Sequence, residues 1–256
     1  MLKQEGGFDL VAPSPLPLSD SSGAVPRELR TAEIREYVQL YSKAASNAIE
    51  AGFDGVEVHA ANGYLLDQFL QTVSNERTDE YGGSVDNRVR FPLEVINAIV
   101  ETIGAERTAV RVSPWSKFQG EARMTCIFRA PPGSSNASFI LLDMGMKDPL
   151  PTFTTFIKHI RDAHPNFAYV HAVEPRIDGV VESDLTDENR AQSNEAFRKA
   201  WGDRPFIAAG GIDGAAAATK IVERYGGLVA FGRHFISNVS RNFFSLSNHF
   251  LRTNAL

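Results

Sequence analysis

The sequence predicts an α/β fold built on parallel strands. From Phe53 onward, short apolar runs alternate with segments of helical period, and that alternation is the signature of βα units. Each run is separated from the next by a helix-length stretch, which calls for right-handed crossovers between parallel strands. Polar or glycine-rich residues follow the strand ends, where α/β barrels place their sites: His59, Asn62 and Tyr64 after the first run, and Gly210-Gly211 and Gly232-Arg233 after the last two.

Taken in order, Phe8 to Ala12 is a short apolar run closed by a Pro/Ser-rich loop and reads as a minor strand. Thr31 reads as an N-cap, with Glu33 and Glu36 in the first turn where the helix dipole favours them. Ile34, Tyr37, Val38, Tyr41, Ala44, Ala45, Ala48 and Ile49 follow the 3.6 period, and Gly52 ends that helix. A strand over Phe53–Val58 turns sharply at His59 into a polar loop. The next helix spans about Asp86 to Ile103 with Val89, Leu93, Ile96, Ile99, Val100 and Ile103 on its apolar face. Pro92 in its first two turns argues for a later start. Then follow the strand Thr108–Ser113, a helix from Thr152 to Ala163, the strand Phe167–Val173 and a helix from Ser193 to Trp201. The strand Pro205–Ala209, a helix capped by Asp213 and running through Tyr225, and the strand Leu228–Phe231 complete the pattern. Five full-length strands result: VEVH, AVRVS, FAYVHA, FIAA and LVAF.

The 256 residues suit one large α/β domain or two small ones. A formal net charge of -5 supplies no electrostatic footprint for nucleic acid, so that partner is not expected. No apolar run approaches the roughly 20 residues that a membrane span needs. The start MLKQEGGFDL shows no apolar core and no cleavage pattern, so a cytoplasmic protein is expected. The single Cys126 excludes an internal disulfide and a cysteine-based metal site, and no metal is expected.

Four groups carry chemistry. His59 and Asn62 are paired donors able to hold an oxygen on which negative charge develops; a lone His after a strand, read without context, is a structural cap. Tyr64 is a phenol that is neutral at pH 7 and can give a proton; the bland alternative is an aromatic packed under a loop. Arg111 stands inside an apolar strand, which is costly unless it meets an anion or a neighbouring carboxylate. Gly210, Gly211 and Gly232 allow close backbone approach to a phosphate, and Arg233 adds a bidentate cation. His171, within a strand, reads as a satisfied core histidine.

The run GFDGVEVHAANGYLLDQFLQTVSNERTDEY from Gly52 to Tyr81 closely resembles the signature of the Old Yellow Enzyme family, FMN-dependent NADPH dehydrogenases and ene-reductases. HAANGYLLDQF matches that family's His-x-x-Asn-x-Tyr arrangement position for position. The resemblance implies a partial (β/α)8 TIM barrel, approximately strands four to eight, as one domain over residues 1–256. It implies FMN as cofactor, NADPH as reductant and a small enone or enal as substrate. His59 and Asn62 would bind the substrate, Tyr64 would protonate it, Arg111 would face the flavin pyrimidine edge, and Gly210, Gly211, Gly232 and Arg233 would hold the phosphate. Asn75, Arg77, Thr78, Asp79 and Tyr81 match a loop that shapes the barrel mouth, while Glu174, Pro175 and Arg176 match without a catalytic role. A homo-oligomer is left open.

Two stretches depart from the family pattern. Trp115–Gln119 should lead almost directly into Met146–Pro149, yet about residues 120–144 intervene without a clean period. Long unstructured loops are uncommon in compact domains, so a translated intron or gene-model error is the expectation there. Residues 239–256 likewise do not continue the family's ending. The leading reading is a portion of an enone-reducing flavin enzyme. The alternative is an inactive truncated barrel or mis-spliced product that does not hold FMN. A non-flavin phosphate-binding isomerase or lyase ranks last, since the strand ends offer no lysine nucleophile.

Overall fold

A computed structural model describes residues 9–17, 25–116, 145–175, 177–178, 181–182, 192–212 and 214–232. Residues 117–144 and 233–256 fall outside them, so the expectations for the intervening stretch, for Arg233 and for the altered ending lie outside the described residues, as do those for Arg176 and Asp213. The chain opens with β1 (Val11–Ala12) and β2 (Arg27–Glu28), a two-residue parallel pair, then α1 (Thr31–Glu50). β3 (Val56–Ala60), the short α2 (Leu65–Leu70), α3 (Val85–Ile103), β4 (Thr108–Val112), α4 (Leu150–Ala163) and β5 (Tyr169–Val173) follow. β6 (Ile177–Asp178) and β7 (Val181–Glu182) form a small antiparallel pair, and α5 (Glu195–Trp201), β8 (Phe206–Ala209), α6 (Gly214–Tyr225) and β9 (Leu228–Ala230) end the series.

β3, β4, β5, β8 and β9 form one parallel sheet in that order, so spatial order follows chain order as in successive βα units of a barrel. Its two faces differ sharply. Val58, Ala60, Val110, Val112, Val170, Ala172, Phe206 and Ala208 are buried against the helices. The alternate positions, in register across the sheet, are Glu57 and His59 on β3, Arg111 on β4, Tyr169 and His171 on β5, Ile207 on β8 and Leu228 on β9. That second face is open among the described residues: Glu57 and His59 are exposed and Leu228 is 59% exposed.

The helix layer supplies the core. α1 packs on α3, α3 on α4 and α4 on α5. Phe69 and Phe91 meet edge to face with centroids 4.7 Å apart, and Phe153, Phe156, Phe197 and Trp201 are fully buried in the same cluster.

Several boundaries shift from the sequence expectation. β3 starts at Val56 and runs through His59, because Phe53 is 66% exposed and the ladder with β4 begins at Val56↔Thr108. Arg30, not Thr31, caps α1: its amide donates to the Glu33 carboxylate at 2.8 Å, while the Thr31 hydroxyl donates to Asp79 at 3.1 Å. α3 begins at Val85 rather than later, because the Ser84 hydroxyl accepts from the Asn87 amide and Pro92 is accommodated as a buried residue. Gly52 does end α1, at φ 94° just past the last helical carbonyls.

Candidate active site at the C-terminal ends of the strands

The turn leaving β3 is built around two consecutive left-handed residues, Asn62 (φ 56°) and Gly63 (φ 72°). Asparagine and glycine are the residue types that accept this conformation at least cost. The Asn62 amide donates to Ser113 Oγ at 2.7 Å and the Gly63 amide to Asp67 Oδ2 at 3.0 Å. Gln68 Nε2 donates to the Gly63 carbonyl at 2.8 Å. The backbone of the turn is thus fixed from three sides, while the Tyr64 side chain is left 52% exposed. The His59 and Tyr64 rings face each other with centroids 5.3 Å apart.

His59 belongs to β3 itself rather than to the loop after it, and this corrects the sequence reading. Its register partner on β4 is Arg111, so the two side chains stand side by side on the open face. Partial burial against the sheet, then the charge of Arg111, hold the imidazole below its usual range, and it is neutral at pH 7. A neutral imidazole presents one donor and one acceptor to a ligand.

Arg111 has no carboxylate within ion-pair distance among the described residues. Its Nη1 lies 3.0 Å from His171 Nε2, and His171 Nδ1 lies 2.9 Å from Glu57 Oε2. The same Nη1 also lies 3.3 Å from His171 Nδ1, so it sits across the ring rather than at one nitrogen, and the Glu57 carboxylate takes the Nδ1–H. Burial works against ionisation of Glu57, but the hydrogen bond and electrostatic attraction of His171, the further hydrogen bond from Tyr169 and the charge of Arg111 prevail and hold it below the usual carboxylate range. His171 is buried and satisfied, as expected of a core residue, yet it sits on the site face as the partner of Arg111. Glu57 escaped sequence reasoning altogether; its signal was the alternation Val56-Glu57-Val58-His59, two polar residues on one strand face.

Gly210 (φ 93°) and Gly211 (φ 60°) follow β8, two strands along the sheet from Arg111. With Glu174, Asn194, Arg198 and Tyr225 they line a cavity of about 340 Å³. The Arg198 guanidinium stacks 4.3 Å from the Phe206 ring centroid and lies 4.0 Å from Glu174, whose carboxyl is pushed up by burial. Gly232 follows β9 in open space. A larger groove, about 600 Å³, lies between α1 and α3 around Arg35, Arg90 and Glu94 and shares no residue with this site.

The mouth-shaping loop is held by buried polar groups. Asn75 Nδ2 donates to the carbonyls of Phe69 and Tyr81, each at 2.8 Å. Arg77 reaches the carbonyls of Pro13 and Leu29 and pairs with Asp79. Among the described residues no cluster of His, Cys, Asp or Glu could hold a metal ion, and no helix is long and apolar enough to cross a membrane.

Parallel strands in chain order, a polar cluster on their open face and glycines after the later strands define part of an α/β barrel enzyme. Residues 5–129 and 135–243 match the NADH:flavin oxidoreductase / NADH oxidase family, and the chain belongs to that family, the Old Yellow Enzyme group. It is 43% identical over 242 residues to chanoclavine-I aldehyde reductase fgaOx3 of Penicillium roqueforti (strain FM164), covering 93% of this chain and 57% of that protein. Among solved structures it resembles morphinone reductase, with TM-score 0.71 and 32% identity over 91% of this chain and 58% of that one. It also resembles an Old Yellow Enzyme from Pichia sp. AKU4542, with TM-score 0.70 and 31% identity over 93% of this chain and 56% of that one. The chain therefore spans somewhat more than half the length of these relatives. Members of the family are flavin enzymes that act on small molecules with a reduced nicotinamide.

Proposed function

We propose that this chain carries the substrate-binding side and part of the flavin-binding side of an FMN-dependent oxidoreductase that reduces the activated C=C bond of an enone or enal at the expense of NADPH. The observation that carries this reading is the juxtaposition of neutral His59, Arg111 and Tyr64 at the ends of two adjacent strands.

The residues present fit the cofactor. Among the described residues Arg111 meets only the His171 ring, so its other N–H groups can serve an anionic ring edge, and Gly210, Gly211 and Gly232 offer side-chain-free backbone to a phosphate. FMN, when bound, accepts electrons from NADPH and delivers them to the substrate. His59 and Asn62 hold the carbonyl oxygen of the substrate and stabilise the charge that gathers there. Tyr64, exposed beside His59, hands a proton to the α-carbon, and the nearby donors stabilise the phenolate left behind.

A second reading is favoured by the open sheet face: with Leu228 59% exposed on it, this polypeptide by itself does not retain FMN. Absorbance spectra of the purified chain with added FMN, NADPH and then an enone separate the two. A bound flavin band that NADPH bleaches and the enone restores is the expected result. Tyr64→Phe should leave the bleaching intact and slow the enone step by about 10²–10⁴-fold, the range for loss of a general acid. Failure to retain any flavin assigns the chain to the second reading.

A further inference from the structure

Asp67 is fully buried on α2 and no step of the proposed reaction uses it. Among the described residues no cation reaches it. Its neighbours are all donors: Gly63 N–H at 3.0 Å and Ser113 Oγ at 3.4 Å on one oxygen, Gln71 Nε2 at 3.2 Å on the other. Ser113 Oγ already accepts the Asn62 amide at 2.7 Å, so its single hydrogen is left for Asp67. Gln71 Oε1 accepts the amide of Met146 at 3.1 Å, which fixes the orientation of its amide group. The network therefore joins the Asn62–Tyr64 turn to the loop after β4 and to the segment before α4.

A carboxylate accepts from all three donors at once. An asparagine would present its own NH2 to one of the two sides, opposing either Gln71 or the Gly63–Ser113 pair. The ionised form comes at a cost, for burial raises the carboxyl to about 7 against the three hydrogen bonds that lower it. A fold that tolerates a buried, cation-free carboxylate for the sake of three donors uses it to hold those donors in place.

We propose that Asp67 is the positioning residue of the active site, its carboxylate fixing the turn that presents Asn62 and Tyr64 against the end of the strand that carries Arg111. The proposal rests on the reading of Asn62 and Tyr64 as substrate-facing, and its test keeps the two apart. Residue-resolved amide hydrogen exchange is measured at pH 8 on the full chain, with and without added FMN, for the native sequence, Asp67→Ala and Ser113→Ala. In Asp67→Ala the Asn62 and Gly63 amides exchange at least tenfold faster while those of α1 keep their native rates. Ser113→Ala quickens Asn62 and spares Gly63. In flavin-loaded chain, Asp67→Ala lowers kcat for enone reduction at least tenfold, with a smaller change in KM.

Unchanged exchange at Asn62 and Gly63, or an equal rise throughout α1, overturns the proposal, as does an unaltered kcat. Should Asp67→Ala fail to fold, Ser113→Ala decides: native exchange at Asn62 then refutes the network. A chain that binds no FMN yet shows the localised exchange pattern upholds the positioning role and defeats the enzymatic reading instead.

Discussion

Replacing Arg77 by methionine removes a guanidinium whose side chain is 2% exposed. Its Nη1 donates to Leu29 O at 2.6 Å and Pro13 O at 3.0 Å and lies 3.0 Å from Glu28 Oε1; its Nε donates to Asp79 Oδ1 at 3.0 Å. Methionine fills the apolar volume but leaves two carbonyls without that donor, each worth about 1–3 kcal/mol when buried. Asp79 is partly exposed and keeps the Tyr81 amide and the Thr31 hydroxyl, so its loss of a cation adds less than a fully buried pair would. These terms share one side chain and do not add; breaking one partner of a buried pair costs about 3–5 kcal/mol. With a urea slope of about 2–3 kcal/mol/M for a domain of this size, the midpoint should fall by about 1–2 M. Urea unfolding followed by fluorescence of Trp115 and Trp201 measures it. Arg77→Lys, which keeps the charge but serves one side of the network at a time, should fall between the two. A methionine variant whose midpoint lies within about 0.3 M of the native one, at unchanged slope, would refute the claim that Arg77 ties the mouth loop to β1 and β2.

Three further outcomes are expected. The Asp67 carboxyl is raised to about 7 in the folded chain, so the folded state binds its proton more tightly than the unfolded state does and stability falls as pH rises from 4 to 7; the Asp67 share is about 4 kcal/mol, and urea midpoints at pH 5 and pH 8 should show a drop that is much smaller in Asp67→Asn. At Gly55 an added Cβ would meet the Arg107 carbonyl oxygen at 2.5 Å, so Gly55→Ala should cost about 1–3 kcal/mol in thermal or urea unfolding, because backbone on both sides must move. Arg111→Gln should weaken FMN binding at least about tenfold by fluorescence titration while leaving the urea midpoint within about 0.5 M of native, since among the described residues Arg111 meets only the His171 ring; equal affinity would remove Arg111 from the flavin site.

Much of the fold was legible because the helix-facing strand residues are β-branched or small and apolar: Val110 and Val112, or Val170 and Ala172, mark their strands without help from neighbours. The ends were less so. Phe53 is as apolar as any core residue, yet it lies exposed before the ladder starts, and only the pairing with Thr108–Val112 fixes where β3 begins. The polar residues from His59 onward read as a loop in the sequence. Here the open face receives His59, a tertiary fact that period-2 alternation hints at but cannot decide. The six-residue α2 is too short for a helical period to register, so Asp67 looked like one more polar residue in LLDQFL. Its burial follows from the packing of α2 on α3, which no local pattern contains. Arg111 stood out at once as a charge in an apolar strand, whereas its partner His171 did not, because a neutral histidine in a strand raises no such alarm.

That partner changes what Arg111 can do. A carboxylate directly across the ladder would take two of the guanidinium N–H groups in a fork and cancel most of its field. In this sheet the carboxylate, Glu57, stands on β3 beside Ala109 rather than opposite Arg111, and it takes hydrogen bonds from His171 and Tyr169 of β5. His171, Tyr169 and Arg111 hold the Glu57 carboxyl below its usual range, and Glu57 in turn fixes the position of the His171 ring beside Arg111. Among the described residues Arg111 meets only the His171 ring, through Nη1, which leaves its other N–H groups for the open face next to His59 and Tyr64. Burial is the larger cause of the lowered His59 pKa, and the charge of Arg111 beside it adds to the shift. A cation held against a histidine ring, flanked by the His59 imidazole and an exposed phenol, is an arrangement suited to binding an anion rather than to stabilising the sheet.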